Sequence, residues 1–173
     1  WGPDRPTYHD DTFPPALTFN STSDNPDYGD ERNFVRVKPA RVMTAGGWTD
    51  SVEVENDQEY LVQLYARLDG PDKHAAKDTK VTVILPTCTG HRIGVTAILE
   101  SMDAFPGAVW DGASFWSRKD FNLALVPDSG AVYSNAHPTG LAFSTSDLVT
   151  TKGIPLGSEE LDGVLKPGYA NSV

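Results

Sequence analysis

The 173-residue chain has one cysteine, Cys88, so no intrachain disulfide can staple the fold. It lacks helical periodicity as well. No window of about a dozen residues repeats apolar positions at i, i+3, i+4 and i+7, which excludes a helical bundle. It is poor in positive charge, with 14 Lys and Arg against 24 Asp and Glu and a net charge of −10. Such a surface repels phosphate backbones and anionic lipid, so nucleic acid is excluded as a natural partner. No apolar run is long enough to span a bilayer as a helix. Catalytic signatures are missing too. There is no Gly-rich phosphate loop, no G-x-S-x-G and no Cys–His pairing, and His9, His74, His91 and His137 stand at no metal-ligand spacing. The chain opens on Trp1 with neither Met nor leader, as expected of a processed or excised form.

What remains is turn chemistry and short alternating runs. Gly and Pro number 15 and 13, enough to punctuate many short strands. "NFVRVK" (33–38) alternates, and Phe34 opens the first strand. "YLVQLYARL" (60–68) sets Val62, Leu64, Ala66 and Leu68 on one face, with Gln63 and Arg67 on the other. "TKVTVIL" (79–85) turns Val81, Val83 and Leu85 inward. "RIGVTAILES" (92–101) does the same with Ile93, Val95, Ala97 and Leu99, and "FNLALVP" (121–127) with Phe121, Leu123 and Leu125. Half-polar strands at short intervals predict an all-β fold, an antiparallel β-sandwich over residues 33–173. One helical turn is expected at "GSEELDG" (157–163), capped by Ser158, with Glu159 and Glu160 at its N-terminus. Cys88, in "ILPTCTG", reads as a small buried thiol.

Residues 1–32 are different in kind. Four prolines fall in the first fifteen positions without alternation, which predicts an extended arm pinned by Trp1, Tyr8 and Phe13. The arm ends in "DNPDYGDERNFVRV", where Asp24, Asp27, Asp30 and Glu31 crowd a Pro- and Gly-punctuated segment. Oxygen-rich loops of this kind bind calcium when their carboxylates converge, with Asp10 and Asp11 as further donors. The other reading is a turn with a wet acidic rim, its acids paired to Arg32 or Arg36. "VWDGASFWSRKDF" (109–121) concentrates Trp110 and Trp116, which serve either as core or edge residues or as stacking platforms for sugar faces. Asn20-Ser21-Thr22 forms an N-glycosylation acceptor.

"VEVENDQEYLVQLYARLDGPDKHAAKDTKVTVILPT" (52–87) resembles the Ig-like conserved-repeat domains of bacterial surface proteins. The matching positions are Tyr60, Val62, Ala76, Thr79, Val81, Leu85 and Pro86. "WGPDRPTY", "FNS" and the acidic stretch are similar to a block in exported actinobacterial proteins. The resemblance implies an Ig-like sandwich at the cell surface, structural or adhesive and without catalytic residues. Its partners would be further copies, joined through an exposed strand edge left by a missing final strand, or a host or cell-wall glycan. An intramolecular Lys–Asn or Lys–Asp isopeptide bond also belongs to such surface modules.

Overall fold

The computed structural model describes residues 1–71 and 74–173 and is built mainly from strands. They are β1 (Thr18–Phe19), β2 (Val35–Pro39), β3 (Ser51–Glu53), β4 (Tyr60–Leu64), β5 (Leu68–Asp69) and β6 (Lys80–Ile84). Then follow β7 (Gly90–Glu100), β8 (Ala108–Phe121), β9 (Gly130–Val132), β10 (Leu141–Phe143), the short helical turn α1 (Thr145–Leu148), β11 (Ile154–Pro155) and a 3-10 turn at Tyr169–Asn171. Five strands form the main sheet in the order β11-β6-β7-β8-β3, while β1–β5, β2–β4 and β9–β10 pair separately. The expectation of purely antiparallel pairing needs one correction, because β3 runs parallel to β8. Parallel neighbours require a crossover, which the long connection from Glu53 to Ala108 supplies.

The core follows from period-2 alternation on the two longest strands. Ile93, Val95, Ala97 and Leu99 of β7 are all buried, and register sets them opposite Phe115, Ala113, Asp111 and Val109 of β8. Val35 and Val37 of β2 belong to the same apolar cluster, together with Phe19, Phe34 and Leu68. Asp111 is the polar exception on this inward face. Its Oδ2 accepts the Val35 N–H at 2.8 Å, tying β2 to β8 where a bare carboxylate would be costly.

Other expectations also change. The run 60–68 does not form one strand. It pairs with β2 as far as Leu64, bends, and resumes as β5 against β1. Burial does not follow the alternation throughout: Ala66 and Leu68 are buried as expected, but Val62 is exposed and Arg67 is buried. "FNLALVP" is strand only at Phe121, the last residue of β8, because no ladder partner reaches residues 122–126 and alternation alone cannot hold an unpaired strand. "GSEELDG" forms bends instead of a helical turn. Ser158 Oγ there accepts the Lys166 N–H at 2.9 Å and donates to the Asn171 carbonyl at 3.2 Å. Cys88 is exposed, lying in the β6–β7 connection beyond the last ladder pair, Ile84–Thr96.

The first thirty-two residues pack closely onto the strands. Gly2 exchanges two 2.8 Å backbone hydrogen bonds with Trp110, and β1 carries Phe19 into the core. Trp1 and Phe13 do not pin this segment, since both are well exposed; Leu17 and Phe19 do, being apolar and buried. At the other end Val173 and Ala66 exchange backbone hydrogen bonds of 2.9 and 2.7 Å, and the Gly168 N–H reaches the Leu68 carbonyl at 2.8 Å. The edge beside Ala66–Leu68 is therefore covered by the chain's own last residues. Among the described residues no helix is long and apolar enough to cross a membrane.

Candidate functional site

The acidic stretch is wound around one side chain, Asn25. Its Oδ1 accepts the N–H groups of Asp27 and Tyr28, closing a turn that its own backbone completes with Gly29. Its Nδ2 donates to Glu31 Oε1 at 2.6 Å. The four acids then part company. Asp24 accepts from His9 Nδ1 at 2.9 Å and from the Asp10 N–H at 2.8 Å. Asp27 accepts the Tyr169 hydroxyl at 2.9 Å, and Asp30 chelates the Arg32 guanidinium. Glu31 points into the protein with no exposed surface. These carboxylates share no common point, and among the described residues no group of three or more His, Cys, Asp or Glu is arranged to hold a metal ion.

Glu31 meets Arg67, and around this pair lies a buried charge cluster. Arg67 Nη1 bonds Glu31 Oε1 at 3.0 Å and Asp10 Oδ1 at 3.1 Å. Its Nε lies 2.7 Å from Asp69 Oδ1, close enough for ion pairing but misdirected for a hydrogen bond. Asp69 Oδ2 takes the hydroxyls of Ser21 and Thr22 at 3.2 and 3.3 Å, while Glu31 Oε2 has no partner. One guanidinium thus serves three carboxylates. Burial pushes the Glu31 carboxyl up to about 7, against the pull of Asn25 and Arg67, and raises Asp69 for the same reason.

A raised carboxyl pKa fixes the sign of the pH dependence. Between about pH 4.5 and 7 the folded chain holds the Glu31 proton more tightly than the unfolded chain, so stability falls as pH rises through that window. Asp30, held below its ordinary value chiefly by its Arg32 hydrogen bond, acts oppositely, but only as pH falls below that ordinary value. The urea midpoint should therefore be higher at pH 5 than at pH 8, by a term on the order of 2 kcal/mol from Glu31. Glu31→Gln should flatten this difference. An unchanged slope in the variant would assign the effect elsewhere.

Beside the cluster opens a cleft of about 390 Å³ lined by Asp27, Tyr28, Arg36, Gly46, Gly47, Trp48 and Gln63. Register places Arg36 directly across from Gln63 on the β2–β4 pair. Tyr28 stacks on Tyr65 with centroids 4.3 Å apart, and the Arg36 guanidinium carbon lies 4.2 Å from the Tyr28 ring centre. Gly46 and Gly47 have φ of +78° and +74°, a backbone that side chains resist, and this turn brings Trp48 back beside β2. Lys38 Nζ sits 4.5 Å from the Trp48 ring centre and donates to the Thr44 and Gly46 carbonyls at 3.2 and 3.4 Å. The Lys38 ammonium thus meets carbonyls and an indole and, among the described residues, makes no ion pair with a carboxylate. Sequence reading missed this cleft. Its signal was the "GGW" triplet between two strands, with a charge alternating into "VRVK".

Trp110 and Trp116 stand elsewhere. Val109, Asp111, Ala113 and Phe115 take the inward face of β8, so both tryptophans project from the outward face, about 20 Å apart along the strand. Trp110 is 43% exposed and Trp116 half-buried. Between them lie Gly112 and Ser114, with Gly94 and Thr96 across the ladder. The Gly2 backbone is seated so closely on the Trp110 indole that a Cβ there would approach it to 2.6 Å. Arg92, opposite Trp116, donates to Ser114 Oγ at 3.0 Å.

Asn20 lies in no exposed glycosylation site. It is buried, with Nδ2 donating to the Tyr65 carbonyl at 2.7 Å and Oδ1 accepting the Arg67 N–H at 2.8 Å. No protein-family model, curated protein or solved structure matches the chain.

Proposed function

We propose that this chain is a non-catalytic, extracellular adhesive module of a bacterial surface protein, an Ig-like sandwich with a Pro-rich N-terminal segment, that holds a glycan on the outer face of its five-stranded sheet. One observation carries the reading. Trp110 and Trp116 share the solvent-facing side of β8, separated by a low floor of Gly112 and Ser114. Indole faces flanking a floor of small residues suit the apolar faces of successive sugar rings, while hydroxyls of Thr96 and Ser114 offer hydrogen bonds. Support for a surface location comes from the resemblance of residues 52–87 and from the acidic charge, which keeps such a module soluble.

The test is affinity electrophoresis through gels cast with cell-wall and host polysaccharides, compared with a gel lacking them. Retardation by at least one polysaccharide is expected, and Trp110→Ala and Trp116→Ala should each weaken it tenfold or more with the fold intact. Retardation unchanged in both variants would remove the tryptophans from the site. The second reading is assembly of copies through strand edges. It is favoured by β6, where β11 pairs with Lys80 and Val81 and, among the described residues, no strand pairs with Thr82–Ile84 on that side. No retardation on any polysaccharide, with concentration-dependent sedimentation, would favour it instead.

A further inference from the structure

We propose that the cleft between Tyr28 and Trp48 is a second binding site, and that it takes a single carboxylated sugar, a uronic acid residue, with its carboxylate on Arg36. In a chain of net charge −10, three of the seven arginines are held in ion pairs: Arg32 with Asp30, Arg41 with Glu55, Arg67 with three carboxylates. Among the described residues Arg36 makes no ion pair. Its one side-chain hydrogen bond runs from Nη2 to the Tyr28 carbonyl at 3.1 Å, which leaves most of its N–H donors open to the cleft. A planar guanidinium with free donors matches a carboxylate two bonds at a time.

The arginine is also held in place. Tyr28 has Tyr65 stacked at 4.3 Å and Arg36 at 4.2 Å, distances that require opposite faces of the ring. Arg36 therefore rests on an aromatic support and loses little freedom when it binds. Lys38 is not part of the lining, but its ammonium beneath Trp48 puts a second positive charge behind that wall of the cleft.

The rest of the lining selects a sugar. With both faces of Tyr28 covered, Trp48 is the ring left to meet a pyranose face. Gln63, across the ladder from Arg36, offers a donor and an acceptor to hydroxyls. Asp27 accepts the Tyr169 hydroxyl through Oδ2 and keeps Oδ1 for a ligand hydroxyl. The same carboxylate repels a densely charged polyanion, so one carboxylate per ligand fits better than several. The volume, about 390 Å³, lies at the small end of ligand sites and suits one or two rings.

The experiment is titration of the ¹⁵N-labelled chain with methyl β-D-glucuronide, followed by amide shifts, against methyl β-D-glucoside and N-acetyl-aspartate amide. The glucuronide should move the amides of Tyr28, Arg36, Trp48 and Gln63 with a dissociation constant in the millimolar range. Both comparison compounds should bind at least tenfold more weakly. Arg36→Gln should lose the glucuronide preference while keeping the dispersed spectrum, and Gln63→Ala gives an independent check from the other strand. Equal binding of glucoside removes the role of Arg36, and equal binding of N-acetyl-aspartate amide replaces the sugar by a peptide carboxylate. No shift at these four residues, or full binding by Arg36→Gln, overturns the site. Trp110→Ala should leave this titration unchanged, so the cleft stands or falls apart from the sheet face.

Discussion

Arg67→Met is expected to lower the unfolding free energy by about 3–5 kcal/mol, read as a fall in urea midpoint at constant slope. The reason lies in what the substitution leaves behind. Glu31 and Asp69 are 0% and 5% exposed, and both lose their cation. Methionine fills the aliphatic volume, so the loss measures stranded charge and not a cavity. The deficit should be greatest at alkaline pH, where both carboxyls must ionise, and should shrink toward pH 5 as they take up protons. Adding Glu31→Gln to Arg67→Met should recover a good part of it, because one of the two stranded charges is gone. A loss below about 1 kcal/mol would mean that water reaches the cluster and screens it.

Asn20→Ala is expected to cost about 3–5 kcal/mol, nearly as much, without touching any charge. Asn20 has φ of +46°, the left-handed region, where alanine pays about 1 kcal/mol. Its amide also supplies partners for the Tyr65 carbonyl and the Arg67 N–H, and each buried backbone group left unpaired costs about 1–3 kcal/mol. Asn20→Gly relieves the strain but not the lost bonds, so it should fall between wild type and Asn20→Ala. If glycine proved as stable as wild type, strain alone would account for the asparagine. The "NST" acceptor motif has its physical explanation here. Asparagine occurs because it tolerates positive φ and bonds backbone in both directions, and Ser21 and Thr22 follow because their hydroxyls satisfy Asp69.

These two residues mark where local reading of the sequence stops. The all-β character was legible from strand alternation, and β7 shows why: Ile93 to Leu99 is paired along its whole length with β8, and from Thr96 on with β6 as well, so period 2 decides which side chains are buried. β8 was harder, because Asp111 interrupts its apolar face and makes sense only once Val35 is known to stand opposite it. Arg67 read as a solvent-facing residue because nothing near it in sequence reveals Glu31 or Asp10. Leu123 and Leu125 carried the right pattern on from Phe121 but have no strand partner among the described residues. The candidate sites were legible in part. Trp110 and Trp116 could be named as a pair, and alternation along β8 sets both outward. The cleft could not be read, since Tyr28, Arg36, Trp48 and Gln63 come from four separate segments. Each was locally explicable as turn, strand or loop.

The cluster at Arg67 also ties together pieces of chain that are far apart. Asp10, Glu31 and Asp69 arrive from three segments, β1 pairs with β5, and Val173 closes on Ala66 next door. Closing such long loops costs chain entropy before any contact repays it, whereas β6, β7 and β8 follow one another as neighbours. The order of events in folding follows from this. The β6–β7–β8 meander can form early, and the node around Arg67 is assembled after the transition state. Arg67→Met should accordingly leave the refolding rate almost untouched and express its loss as faster unfolding.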